Sequence, residues 1–146
     1  MSAVPPNVPA QPGTSHASSD SAEATVFSVD KLLKYMGNDD KAHALVSKIV
    51  RDACAPGMAP LDEAHAAMAT GGWTSAGKIL HGLRGSIGTL GAKRLVAASL
   101  ALEQALADAD TQAHALPGLF AAVEQEYKAV LEQAGTWLSR HDSGAV

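Results

Sequence analysis

The chain has 146 residues, enough for one domain; 47% are hydrophobic, largely alanine and leucine, and only 4% are aromatic. A formal net charge of −4 without a long basic cluster excludes the electrostatic footprint of a nucleic-acid binder. No uncharged run approaches the ~18 apolar residues of a membrane span, the N-terminus lacks the regions of a signal peptide, and a single cysteine cannot close an internal disulfide, so a reducing cytoplasm is the expected compartment.

Residues 1–26 hold Pro5, Pro6, Pro9 and Pro12 and then a Ser/Ala/Thr-rich stretch with almost no large apolar side chains. Such a segment cannot bury enough surface to offset its ordering entropy, and it reads as a flexible tail or linker. Structure is expected from Phe27, where Ser28 or Asp30 is placed to cap a short helix containing Leu32, Leu33 and Tyr35. Gly37-Asn38-Asp39 ends that helix and caps the next, whose Ala42, Leu45, Val46, Ile49, Val50 and Ala53 keep helical spacing until Pro56-Gly57. A third helix runs from Pro60 to Thr70 through Leu61, Ala64 and Met68, and Gly71-Gly72 breaks it. Cys54, among apolar neighbours, reads as packing.

The following helix, residues 73–90, carries the strongest signal. Wound at roughly 100° per residue, it centres His81 on one face with Gly77, Gly85 and Gly88 within about 40° and Lys78 and Arg84 flanking. Ile79, Leu80, Leu83, Ile87 and Leu90 fall on the opposite side as an apolar stripe, so the imidazole points outwards. Each interior glycine costs about 0.5–1 kcal/mol relative to alanine and needs a reason. Close packing or a frayed end accounts for Gly91 and partly for Gly88, but Gly85 lies one turn after His81 on the hydrophilic side, where its absent side chain leaves room for a partner.

Gly91 turns the chain into a helix over 92–109 with Leu95, Ala98, Leu102 and Leu106 on one side, and Leu116 or Pro117 opens the last, 117–139, through Phe120, Val123, Tyr127, Val130 and Leu138. The four longest helices, 39–55, 73–90, 92–109 and 117–139, can bury their stripes only against one another. Short connections then make the fold all-α, an antiparallel up-and-down four-helix bundle with short additional N-terminal helices, over residues 27–141, and leave 142–146 as a disordered C-terminus.

Three motif look-alikes fail in context. Gly72 to Ile79 is one residue short of a P-loop, has Ile79 where Ser or Thr must hold Mg²⁺, and lacks a preceding strand. Asp62-Glu63-Ala64-His65 spells a helicase signature but precedes that run and follows no strand. Gly82-Leu83-Arg84-Gly85 matches the loop of KH RNA-binding modules yet sits inside a helix of an acidic domain. His43, His65 and His114 lie on separate helices and His16 and His141 near the ends, none in a metal-binding pair, so each reads as a solvated or partly packed polar residue. Trp73 and Trp137 read as helix-end anchors.

The run His81-Gly82-Leu83-Arg84-Gly85-Ser86, followed by Leu90-Gly91-Ala92, resembles the histidine-containing phosphotransfer (HPt) family of two-component phosphorelays, whose motif is His, any residue, Leu, Lys, Gly, a small residue and a later Leu-Gly-Ala turn. Arg84 in place of lysine is the clear departure; it keeps the charge but presents a planar fork. Gly71-Gly72-Trp73 looks like the turn before the family's histidine helix and Leu95 to Leu106 like the helix after it, and the likeness covers most of residues 27–140.

The resemblance implies a phosphoryl-group carrier without an ATP site of its own. His81 is the implied acceptor, taking the phosphoryl group reversibly from a receiver-domain aspartate and passing it to another receiver. The attacking atom is by resemblance the ring nitrogen farther from the backbone, and imidazole is a competent nucleophile near neutral pH because its unperturbed pKa is about 6.5. Lys78 and Arg84 would screen the incoming charge, with Gly77, Gly85 and Gly88 keeping the docking face clear. No cofactor is expected on this chain, Mg²⁺ coming with the receiver. The implied partners are response-regulator receiver domains and a sensor histidine kinase, of which this is either a separate partner or the C-terminal domain of a hybrid form tethered to the inner membrane. The competing expectation, a helical docking module that never carries phosphate, leaves the position of His81 unexplained.

Overall fold

A computed structural model describes residues 25–108 and 110–145, with side chains as far as His141. Regular structure there is helical throughout: α1 (Asp30–Tyr35), α2 (Asp40–Cys54), α3 (Ala59–Ala69), α4 (Trp73–Ile87), α5 (Lys93–Ala107) and α6 (Leu116–Ala145), with 3₁₀ turns at Gly88–Leu90 and Ala113–Ala115.

Local chemistry sets most of these bounds. Gly37 and Asn38, both at positive φ, turn the chain out of α1. Asp39 then caps α2, its side chain accepting from the Ala42 amide at 2.8 Å. α1 has no side-chain cap: Val29, and not Ser28 or Asp30, stands at its N-cap, the Ser28 hydroxyl only accepts from the Asp30 amide at 3.4 Å, and α1 lasts six residues. Pro60 stands in the first turn of α3 and Pro117 in that of α6, where the missing amide costs no helical hydrogen bond.

α4, α5 and α6 pack in turn against one another; α2 lies chiefly against α6, and α3 runs along α4. The expected antiparallel bundle is therefore present, with the position beside α4 and α6 shared by α2 and the shorter α3. The core they enclose includes Leu61, Leu80, Ile87, Leu90, Leu95, Leu102 and Tyr127, all buried. The Tyr127 hydroxyl donates to the Gly57 carbonyl, pinning α6 to the α2–α3 turn, and Arg94 pairs with Glu126 at 2.7 Å between α5 and α6. Burial pushes the Tyr127 phenol and the Cys54 thiol up, and Cys54, half-buried, is held in its packing role.

Two boundaries differ from the sequence expectation. The chain is tied to the bundle from Thr25, whose carbonyl accepts from the Arg94 amide at 3.1 Å, and Val26 packs on the core; residues 1–24 of the expected tail lie outside the described residues. At the other end α6 continues to Ala145, so 142–145, expected to be disordered, are helical, and Val146 lies outside the described residues. Apolar spacing stops at Leu138, but extending a helix already nucleated needs only one backbone hydrogen bond per residue fixed, with no apolar partner. Trp137 is accordingly not at a helix end: it stacks on His141 at 4.1 Å and meets the edge of Phe27 at 6.4 Å. His141 stacks in turn on His43 and His65 lies against Phe120, so these histidines are partly packed. Trp73 does open α4, half-buried against the core.

Candidate functional site

α4 buries Ala76, Leu80, Leu83 and Ile87 and leaves its other face open, with Ile79 half-buried between the two. His81 stands on that open face with its side chain 73% exposed. A Cβ built at Gly77, Gly82 or Gly85 would meet nothing within 4 Å, so none of these three glycines is there to let another part of the described fold approach. Three interior glycines cost this helix on the order of 1.5–3 kcal/mol relative to alanine, a price the bundle itself does not require. Gly88 differs: half-buried at the junction with the 3₁₀ turn, it would bring a Cβ to 3.5 Å from Val96 of α5, an ordinary van der Waals contact, so it lies at the edge of the cleared face.

The cations also differ from one another. Lys78 is exposed and lines, with Trp73, Gly77, His81 and Leu106, a shallow groove of about 430 Å³ running beside the histidine towards the end of α5. Arg84, expected as a free flanking charge, is committed to Glu103 of α5. Its Nε donates to Oε2 at 2.7 Å and its Nη2 to Oε1 at 3.0 Å, a bidentate fork a lysine does not make. Ser99, fully buried, donates to the same Oε2 at 2.9 Å. The His81 ring joins this cluster through Nδ1, which is 2.8 Å from Arg84 Nη2 and 3.4 Å from Glu103 Oε1. Nε2 has no hydrogen-bond partner among the described residues, on a side chain that is 73% exposed.

Glu103 is the residue of the candidate site that sequence reasoning missed. It lies 13% exposed, and burial alone would raise its pKa, but the hydrogen bonds from Arg84 and Ser99 outweigh burial and hold it below the usual carboxylate range. The same hydrogen bond raises the Arg84 guanidinium further. The pair is thus ionised at neutral pH and its charges cancel, which leaves Lys78 as the net positive charge beside His81. A carboxylate depressed by folding stabilises the fold above its ordinary value and loses that contribution as pH falls through the lower, folded one. Stability of the domain should therefore fall as pH drops through and below the ordinary carboxylate range, and Glu103→Gln should flatten that part of the profile in urea titrations at stepped pH. An unchanged slope would place the acid sensitivity elsewhere.

No group of three or more His, Cys, Asp or Glu side chains among the described residues is placed to hold a metal ion, and no helix there is long and apolar enough to cross a membrane. Comparison with curated proteins and with solved structures returned no match. The family model for the Hpt domain, by contrast, matches residues 48–136, more than half of the chain, from within α2 through His81 and Glu103 to Thr136 in α6. With its helical bundle and a histidine on the open face of the central helix, the chain belongs to the Hpt domain family, the phosphocarriers of two-component phosphorelays.

Proposed function

We infer that His81 is the phosphoacceptor, that it takes the phosphoryl group from an aspartyl phosphate on a receiver domain, and that it returns or forwards it to a receiver. The observation that carries this is the ring's setting: Nδ1 is engaged from within the domain by Arg84 and Glu103, while the side chain is 73% exposed, with Nε2 unpartnered among the described residues, on a helix face cleared by three glycines. The Nε2 lone pair forms the N–P bond as the P–O bond to the aspartate breaks and its electron pair leaves on the carboxylate. The ring then bears positive charge, which Glu103 stabilises beside Nδ1. Lys78 offsets the charge of the incoming phosphoryl oxygens, and the groove between Trp73 and Leu106 receives apolar side chains of the receiver. Mg²⁺ belongs to the receiver's acidic site. The chain itself takes the role of a carrier between receiver domains and a sensor kinase.

Incubating the domain with a phosphorylated receiver and Mg²⁺, then weighing the intact protein at neutral and at acid pH, tests the reading. An acid-labile phosphate adduct is expected; its absence with several receivers would leave only a docking module.

Gly85 gives a graded check on the docking face. Gly85→Ala should stabilise the helix by roughly 0.5–1 kcal/mol, because its methyl meets nothing and alanine is the better helix former. Gly85→Gln should fold as well but slow transfer from the receiver more than Gly85→Ala does, since reacting atoms must come within about 3–3.5 Å. Transfer by Gly85→Gln at the original rate would move the docking face away from this side of α4.

A further inference from the structure

The contact between Arg84 and His81 fixes where the ring proton sits. A guanidinium has five N–H donors, no acceptor, and does not lose its proton in proteins. Nη2 at 2.8 Å from Nδ1 therefore requires Nδ1 to present its lone pair. In the neutral ring the proton is then on Nε2, the outward nitrogen, which in that form has no lone pair with which to attack phosphorus. Glu103 Oε1 makes the opposite demand: it accepts only, so at 3.4 Å from Nδ1 it is served by an Nδ1–H. Nδ1 thus stands between a donor and an acceptor, and the donor is closer.

We propose that Arg84 holds His81 in the non-nucleophilic Nε2–H tautomer at rest and that an arriving phosphoryl group draws the guanidinium off Nδ1, which lets Glu103 install the reactive Nδ1–H tautomer. This rests on the phosphoacceptor reading of His81 and adds to it a positioning residue that works as a guard. The movement is small, because Arg84 stays anchored to Glu103 Oε2 through Nε while Nη2, which also donates to Oε1, swings off the ring. Phosphoryl oxygens are stronger acceptors for a guanidinium than a neutral imidazole nitrogen, so the exchange runs in their favour. The proton balance is neutral: Nε2 loses its proton to water and Nδ1 takes one from water. The freed Nε2 lone pair then makes the N–P bond, the aspartate carboxylate departs with the P–O electron pair, and the Nδ1 proton remains on the ring, shared with Glu103. A lysine at this position, with a single mobile ammonium and no fork to hold it between the carboxylate and the ring, lacks the built-in contact.

The tautomer is directly observable. The full chain, ¹⁵N-labelled, is examined by long-range ¹H–¹⁵N correlation of the His81 ring at alkaline pH, where the ring is neutral. The wild type is expected mainly as Nε2–H, Glu103→Gln also as Nε2–H, and Arg84→Met shifted towards Nδ1–H by roughly tenfold, the worth of one charge-assisted hydrogen bond. A wild-type ring mainly in the Nδ1–H form overturns the proposal without any variant, and so does a ratio unmoved by Arg84→Met. Treatment of the same sample with phosphoramidate separates the two claims: absence of phosphohistidine would remove the carrier role, while the tautomer ratio would still decide what Arg84 does.

Discussion

His81→Gln is expected to abolish phosphate acceptance while leaving helical content and melting temperature nearly unchanged. The ring is 73% exposed and lies outside the core, and substitutions at such positions fall within about 0.5 kcal/mol. The loss of function should be complete and not partial, because glutamine retains polarity and reach but has no nitrogen lone pair able to form the N–P bond. The check is acid-labile labelling from a phosphorylated receiver alongside thermal denaturation by circular dichroism. Retained labelling would put the acceptor on another residue, and marked unfolding would make His81 a structural group.

Gly91→Ala should act in the opposite way, on the fold and not on the chemistry. Gly91 closes the 3₁₀ turn after α4 with φ 68° and ψ 22°, the left-handed region that costs an L-residue about 1–2 kcal/mol. A Cβ there would also collide with the Ser28 carbonyl oxygen, and the segment it would push away is held by the Ser28 amide donating to Leu90 at 2.8 Å. Strain, displacement and a weakened backbone hydrogen bond together amount to about 2–4 kcal/mol. For a domain of this size that lowers the melting temperature by about 10 °C. The surviving folded fraction should still accept phosphate, since His81 lies more than two turns away along α4. A melting point within a degree of the wild type would mean that residues 25–29 do not seat against this turn.

The difference between these two glycine-and-histidine results mirrors what was and was not legible in the sequence. Helix extents other than the C-terminal end of α6, the turn at Gly91, the cap at Asp39 and the exposure of His81 all follow from short-range rules: spacing at 3.6 residues, the backbone freedom of glycine, the capping chemistry of aspartate. Glu103 does not, because it reaches the histidine from another helix, and the register of α4 against α5 is set by side-chain packing that no periodicity encodes. One signal was present: Glu103 is the only acidic residue in α5, four positions after Ser99. An isolated carboxylate on the helix that returns past the histidine is a candidate partner for the arginine of the motif. The contact of Gly88 with Val96 has the same origin, since an angular wheel shows which residues share a face but not where the neighbouring helix touches it.

Glu103 also changes the electrostatic account. Two free cations around an exposed histidine would attract any phosphate, whereas with the arginine neutralised by its own carboxylate the proposed function leaves that attraction to Lys78. On that proposal, specificity for a receiver would depend on the cleared face and the adjoining groove more than on net charge.

The central claim is that the outward ring nitrogen of His81 carries the phosphoryl group. Phosphorylating the ¹⁵N-labelled chain with a receiver and recording ³¹P together with the histidine ring nitrogens tests it most directly. The account predicts one phosphorus coupled to Nε2 of His81, with the proton on Nδ1; phosphorus on Nδ1, on another histidine or on a hydroxyl or carboxyl group would contradict it.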